Sequence, residues 1–150
     1  MHFTPLTLFL TTLSTASAFI ESFTVPAMIA PNKPYTITFN TRFDPAYLWT
    51  DVAVTWGYNN PPGSINSVGQ YPVIYHLPPN PKQAPVKLVV TAPDGIQKFN
   101  KQKKIEIVAS VFTVASIVGN VGFTSFNVTI DVGDKVSDKL VTSQGFLVEP

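Results

Sequence analysis

The stretch Thr50-Asp-Val-Ala-Val-Thr-Trp-Gly-Tyr58 decides how the chain is read. Val52, Val54, Trp56 and Tyr58 share one parity, and Asp51, Ala53, Thr55 and Gly57 share the other. A period of two over that length fits a half-buried β-strand, because successive side chains point to opposite faces. The stretch runs into Asn59-Asn-Pro-Pro-Gly63, a cluster of turn-forming residues. Trp56 is thereby placed in the core of a β protein.

Other strands follow on either side of it. Phe19-Ile-Glu-Ser-Phe-Thr-Val25 reads as a first strand, placed at a sheet edge by Pro26, Pro31 and Pro34. Tyr35, Ile37 and Phe39 alternate with Thr36, Thr38 and Asn40, an inward–outward pattern. Residues 42–49 form a connector. Residues 68–77 carry Tyr71, Val73, Tyr75 and Leu77 on one parity, and Pro72 makes this an edge or bulged strand. Pro78, Pro79, Pro81 and Pro85 make a stiff extended link. Val86, Leu88 and Val90 form the next inward row, ended by the turn Pro93-Asp-Gly95. Residues 105–118 are a long apolar run whose β-branched content favours strand over helix. Phe126, Val128, Ile130 and Val132 complete the set. About seven to eight short strands separated by Pro/Gly-rich turns predict an all-β, immunoglobulin-like β-sandwich. Trp56 is expected to pack with Phe39, Leu88, Ile107 and Val128.

The chain of 150 residues suits one domain. Leu6-Thr-Leu-Phe-Leu-Thr-Thr-Leu13 is a short apolar block, followed by small residues that include Ala16 and Ala18. Residues 1–18 therefore read as a secretory signal peptide cleaved after Ala18. Residues 19–134 are expected to form the sandwich, and residues 135–150 a C-terminal strand or tail. The apolar block is shorter than the roughly 20 residues of a membrane span, so no membrane span is expected. The chain contains no cysteine. Its stability must come from packing, and its fold is indifferent to the redox compartment. A net charge of +1 argues against nucleic acid as a partner.

Reaction chemistry is hard to place. Nucleophile-and-base catalysis usually recruits histidine, cysteine or a tuned lysine. Beyond the leader the chain has one histidine, His76, on the parity opposite the apolar row. Asp131, Asp134 and Asp138 do not match a calcium-loop spacing. No catalytic residue, metal or cofactor is expected, and the protein is not read as an enzyme. Two surface features stand out. Lys98-Phe-Asn-Lys-Gln-Lys-Lys104 concentrates Lys98, Lys101, Lys103 and Lys104, suited to an acidic partner or to keeping an edge soluble. The tail residues Leu140, Val141, Phe146, Leu147 and Val148 could add to a partner's sheet or complete the protein's own. Lys98, Lys101, Lys103, Lys104, Phe146 and Leu147 are the candidate partner-binding residues. Asn127-Val-Thr129 is an N-glycosylation sequon, with Asn127 expected to point outward.

A leader, then Val25-Pro26 with Ile29-x-Pro31, then Asp51-Val-Ala-Val-Thr-Trp-Gly57, then Asn127-Val-Thr-Ile-Asp-Val-Gly-Asp134 form an ordered set. That set resembles the necrosis-inducing secreted protein family of filamentous fungi. The resemblance implies a secreted, non-enzymatic virulence effector of plant-associated fungi. It would bind host immune-receptor-associated kinases, a membrane co-receptor kinase and a receptor-like cytoplasmic kinase. It would suppress pattern-triggered immunity and can provoke host cell death. A monomer that is secreted and also reaches the host cytoplasm fits this picture. The alternative is a secreted carbohydrate- or cell-wall-binding module using Trp49 beside Tyr47.

Overall fold

The computed structural model describes residues 18–43, 49–64, 67–78, 84–98, 103–115 and 119–148. Most of the expected signal peptide, the candidate Lys101, and Tyr47 lie outside the described residues. Among those described, the chain forms ten strands and one 3-10 helix. The strands are β1 (Ala18–Pro26), β2 (Met28–Ile29), β3 (Pro34–Phe43), β4 (Trp49–Asn59), β5 (Gln70–His76) and β6 (Val86–Thr91). After the 3-10 helix η1 (Asp94–Lys98) come β7 (Lys104–Ala115), β8 (Val121–Val132), β9 (Leu140–Thr142) and β10 (Gln144–Val148). They make two sheets: β6-β3-β1-β9, and β10-β8-β7-β4-β5 with β2 added beside β8. The fold is the expected all-β sandwich.

Alternation puts the core between the sheets. Phe23, Ile37 and Phe39 face Val54, Trp56, Ile107 and Phe126, all of them buried. The rings of Phe23 and Phe39 lie 6.1 Å apart, and those of Phe39 and Trp56 lie 6.0 Å apart. A run of tilted aromatic pairs therefore ties one sheet to the other. Leu88 and Val128 pack on this core only partly buried. Tyr35 of β3 and Tyr58 of β4 also meet between the sheets, hydroxyl to hydroxyl at 2.6 Å. Burial raises the pKa of both, most strongly that of Tyr35, so neither hydroxyl ionises in ordinary conditions. Tyr35→Phe would strand the Tyr58 hydroxyl in the core and is expected to cost about 1–3 kcal/mol. A double-mutant cycle with Tyr58→Phe, read by urea unfolding, should return part of that loss. Additive losses would show that the pair contributes nothing as a pair.

Three expectations change. β1 is no edge: β3 flanks it on one side and β9 on the other. Its proline is its last residue, where no central ladder bond is lost. The shared parity of the β5 row holds: Val73 and Tyr75 lie opposite the inward Trp56 and Val54, and Tyr75 and Leu77 pack on the core, while Tyr71 and Val73 stay exposed. β5 is indeed the sheet edge that Pro72 suggested, with its outermost side open. The Pro93-Asp-Gly95 turn continues as η1, which drives Ile96 fully into the core. Of the expected connector, Arg42 and Phe43 belong to β3 and Trp49 to β4.

The tail completes the protein's own sheets. β9 pairs with β1 in one sheet and β10 with β8 in the other, so the chain changes sheets at Ser143. Ser143 makes that crossing with two bonds to one residue. Its Oγ accepts the Phe23 N–H at 2.9 Å, and its own N–H donates to the Phe23 carbonyl at 2.8 Å. Gly145 follows because a Cβ there would sit 2.9 Å from the Phe126 ring.

Candidate functional site

The lysine-rich segment becomes a site through contacts distant in sequence. The turn at residues 30–33 is laced to the start of η1. Asn32, at φ 57°, donates its N–H to the Ala92 carbonyl at 3.0 Å, and Ala92 donates to the Lys33 carbonyl at 3.1 Å. Asn32 Nδ2 donates to Asp94 Oδ1 at 2.8 Å. Asparagine tolerates this left-handed backbone better than most residues. η1 is thereby held across one end of the sandwich, with Ile96 as its plug.

Between η1, the start of β7 and the end of β8 lies a cleft of about 270 Å³. Ile96, Ile105 and Val132 form its apolar floor. Lys103, Lys104, Gln97 and Asp134 stand exposed at its rim. Lys103 takes φ 55° while its carbonyl accepts the Val132 N–H at 2.7 Å, which fixes the corner where β7 begins. Two ammonium groups against one carboxylate leave the rim positive. An apolar floor under a cationic rim suits an acidic segment that also carries an apolar group. Lys98 ends η1, next to the Gln97 that lines the cleft.

The other candidates lie elsewhere. Phe146 and Leu147 fall on β10 opposite Ser125 and Thr124. Seven residue steps along β8 separate Ser125 from Val132, about 23 Å of strand. The two halves of the candidate set therefore do not form one patch, and the tail is committed to the protein's own sheet. Asn127 lies on the outer face of β8, half-buried, where its Nδ2 donates to Glu106 Oε1 at 2.7 Å. Glu106 is only 6% exposed because the loop after β4 folds over it. A Cβ on Gly63 would fall on Glu106 Oε2, so only glycine lets the loop lie this close. Oε2 has no hydrogen-bond partner among the described residues.

His76 is exposed opposite Ala53. Asp131, Asp134 and Asp138 are exposed, and among the described residues no three ligand-type side chains converge as a metal site would require. Trp49 is half-buried with its ring 3.3 Å from where a Gly122 Cβ would sit, a packing residue and not an open sugar platform. Sequence reading missed η1, Glu106 and an inward-facing Asp51. Glu106 carried a signal: it alternates with Val108 on one face of a strand that is apolar on both.

These features define a compact β-sandwich with a cationic cleft at one end and no helix, among the described residues, long and apolar enough to cross a membrane. The Nis1 family model matches residues 16–131, and the chain belongs to that family, a fungal family of effector type. No curated protein matches the chain. The matched region takes in Lys98, Lys103, Lys104, Asp51, Trp56 and Asn127, and ends one residue short of the end of β8.

Proposed function

We propose that this protein is a secreted effector that binds host immune-receptor-associated kinases and suppresses pattern-triggered immunity. Membership of the Nis1 family carries the reading. The clustering of Lys103 and Lys104 over an apolar floor gives it a contact surface. The cleft would seat an acidic, partly apolar segment of the kinase and so block transphosphorylation or substrate access. Electrostatic attraction would speed the encounter, and burial on the floor would slow release. A fold without cysteine keeps its structure whether it works outside the host cell or in its reducing interior. Asn127, on the outer face of β8, is the proposed glycan carrier.

The test is retention of plant immune-receptor-associated kinases on the immobilised mature protein, together with kinase activity in its presence. Wild-type protein should retain and inhibit them. The double reversal Lys103→Glu with Lys104→Glu should weaken retention by about tenfold or more, with unchanged thermal stability. Raising salt should weaken the wild type more than the variant, since exposed charges are screened within about 8–10 Å. Failure of the wild type to retain or inhibit any such kinase would end the proposal. Equal retention of the double variant would move the contact away from the cleft.

A further inference from the structure

Asp51 does not face the way plain alternation would put it. β4 carries a bulge between Asp51 and Ala53: Asp51 pairs with Thr113, whereas Ala53 pairs with Phe112. One extra residue resets the alternation. Thr113 is a buried inner-face residue, so Asp51 is turned toward the space between the sheets. There its Oδ2 accepts the N–H of Ile20 at 2.6 Å. That is its only hydrogen bond among the described residues, and it has no ion pair among them. Burial pushes its pKa up to about 6, and the Ile20 N–H only partly offsets this. The charged groups on the neighbouring strands are Glu21 of β1 and Arg42 of β3, both exposed. β7 presents Thr113 to Asp51, and β8 presents Gly122 beside Thr113. On β5, His76 sits exposed opposite Ala53. A part-buried carboxylate thus holds one neutral donor and no compensating cation among the described residues.

We infer that Asp51 is the receptor for the α-ammonium group that Phe19 acquires when the leader is removed after Ala18. The inference rests on that cleavage. Hydrolysis adds water across the Ala18–Phe19 bond; Ala18 leaves as a carboxylate and Phe19 keeps the nitrogen, protonated below about pH 8. That nitrogen is three bonds from the Ile20 nitrogen, about 3–3.6 Å away. In the uncut strand, Ala18 pairs with Phe43 and Phe19 with Arg42, which holds β1 extended. Successive N–H groups of an extended strand point to opposite edges, so only Ile20 can face Asp51. Once Ala18 is gone, rotation about the Phe19 Cα–C bond brings the ammonium alongside the Ile20 N–H. Two consecutive backbone nitrogens then face one carboxylate, an arrangement that suits an anion. The carboxylate is conditioned by removal of the leader: poorly compensated before it, paired after it.

Three chains of defined start test this by NMR titration of the Asp51 carboxyl. One begins at Phe19, one begins at Phe19 with an acetylated nitrogen, and one begins at Ala18. The Phe19 chain should show Asp51 titrating about two pH units lower than the other two. Its α-ammonium should titrate above the usual value near 8, and Asp51→Asn should bring it back. Equal Asp51 titration in the Phe19 and acetylated chains overturns the ion pair. Mass spectrometry of the protein exported by a fungal host reads the first residue separately. A start other than Phe19 overturns the cleavage, whatever the titration shows.

Discussion

Trp56→Ala is expected to cost about 3–5 kcal/mol of folding free energy, the usual range for a buried aromatic truncated to alanine. Trp56 heads the fully buried side chains by size and is 2% exposed. Its ring touches Phe39 across the sheets, and Phe39 in turn touches Phe23. Removal empties the middle of that aromatic run, and the β ladders on each side are too regular to collapse into the gap. For a chain of this length the loss corresponds to a fall in Tm of about 10 °C or more. Trp56→Phe should cost much less. The indole Nε1 is buried without a hydrogen-bond partner among the described residues, so phenylalanine gives up ring volume and no bond. Urea unfolding of the two variants separates these cases. A loss below about 1 kcal/mol for Trp56→Ala would mean the sheets hold together without it.

Asn127→Asp should be the most damaging change on the outer face. It replaces the Nδ2 donor to Glu106 Oε1, the only one among the described residues, with a second carboxylate beside a carboxylate that is 6% exposed. Two carboxylates at hydrogen-bond distance cannot both ionise there, so folding of the variant would take up a proton. The pair's folded pKa would lie above its unfolded value. Stability of the variant is then near wild type in acid, where one proton bridges the two oxygens, and falls as pH rises through that raised pKa. At neutral pH the loss should be on the order of 3 kcal/mol. Urea midpoints across pH 4–8 check it, and a pH-independent difference would sink the account. A glycan on Nδ2 leaves one N–H for Glu106, so the proposed glycan and this bond can coexist. Enzymatic glycan removal that leaves an aspartate should reproduce the Asn127→Asp instability.

The strands that were legible in the sequence are those whose alternation is never interrupted. Tyr35, Ile37 and Phe39, like Val54, Trp56 and Tyr58, face inward as their parity says. Pro72 marked its strand as an edge because a missing donor is a local property. What failed to show was set by distant partners. Asp51 turns inward because of a bulge against β7, and nothing in the residues 50–58 announces the extra residue. β1 is covered by a three-residue strand contributed from about 115 positions further on, too short to carry a pattern. The lysine run was visible as a charge cluster. Its assembly with Ile96 into a cleft depends on Asn32 holding Asp94 across 62 residues, which periodicity does not encode. The family resemblance was carried by short β-rich motifs that fall on β1–β2, β4 and the end of β8, the last of them running three residues past the matched region.

The crossing at Ser143 bears on where the domain stops. The family match ends at residue 131, but β9 and β10 border both sheets beyond it. A fragment trimmed to the matched region would uncover β1 in one sheet and β8 in the other, side by side at the same edge of the sandwich. It would also free the Phe23 N–H and carbonyl that Ser143 occupies. Bare strand edges are templates for pairing with another molecule. Such a fragment is expected to self-associate through that open edge. The last strands therefore seal both sheets along one edge of the sandwich.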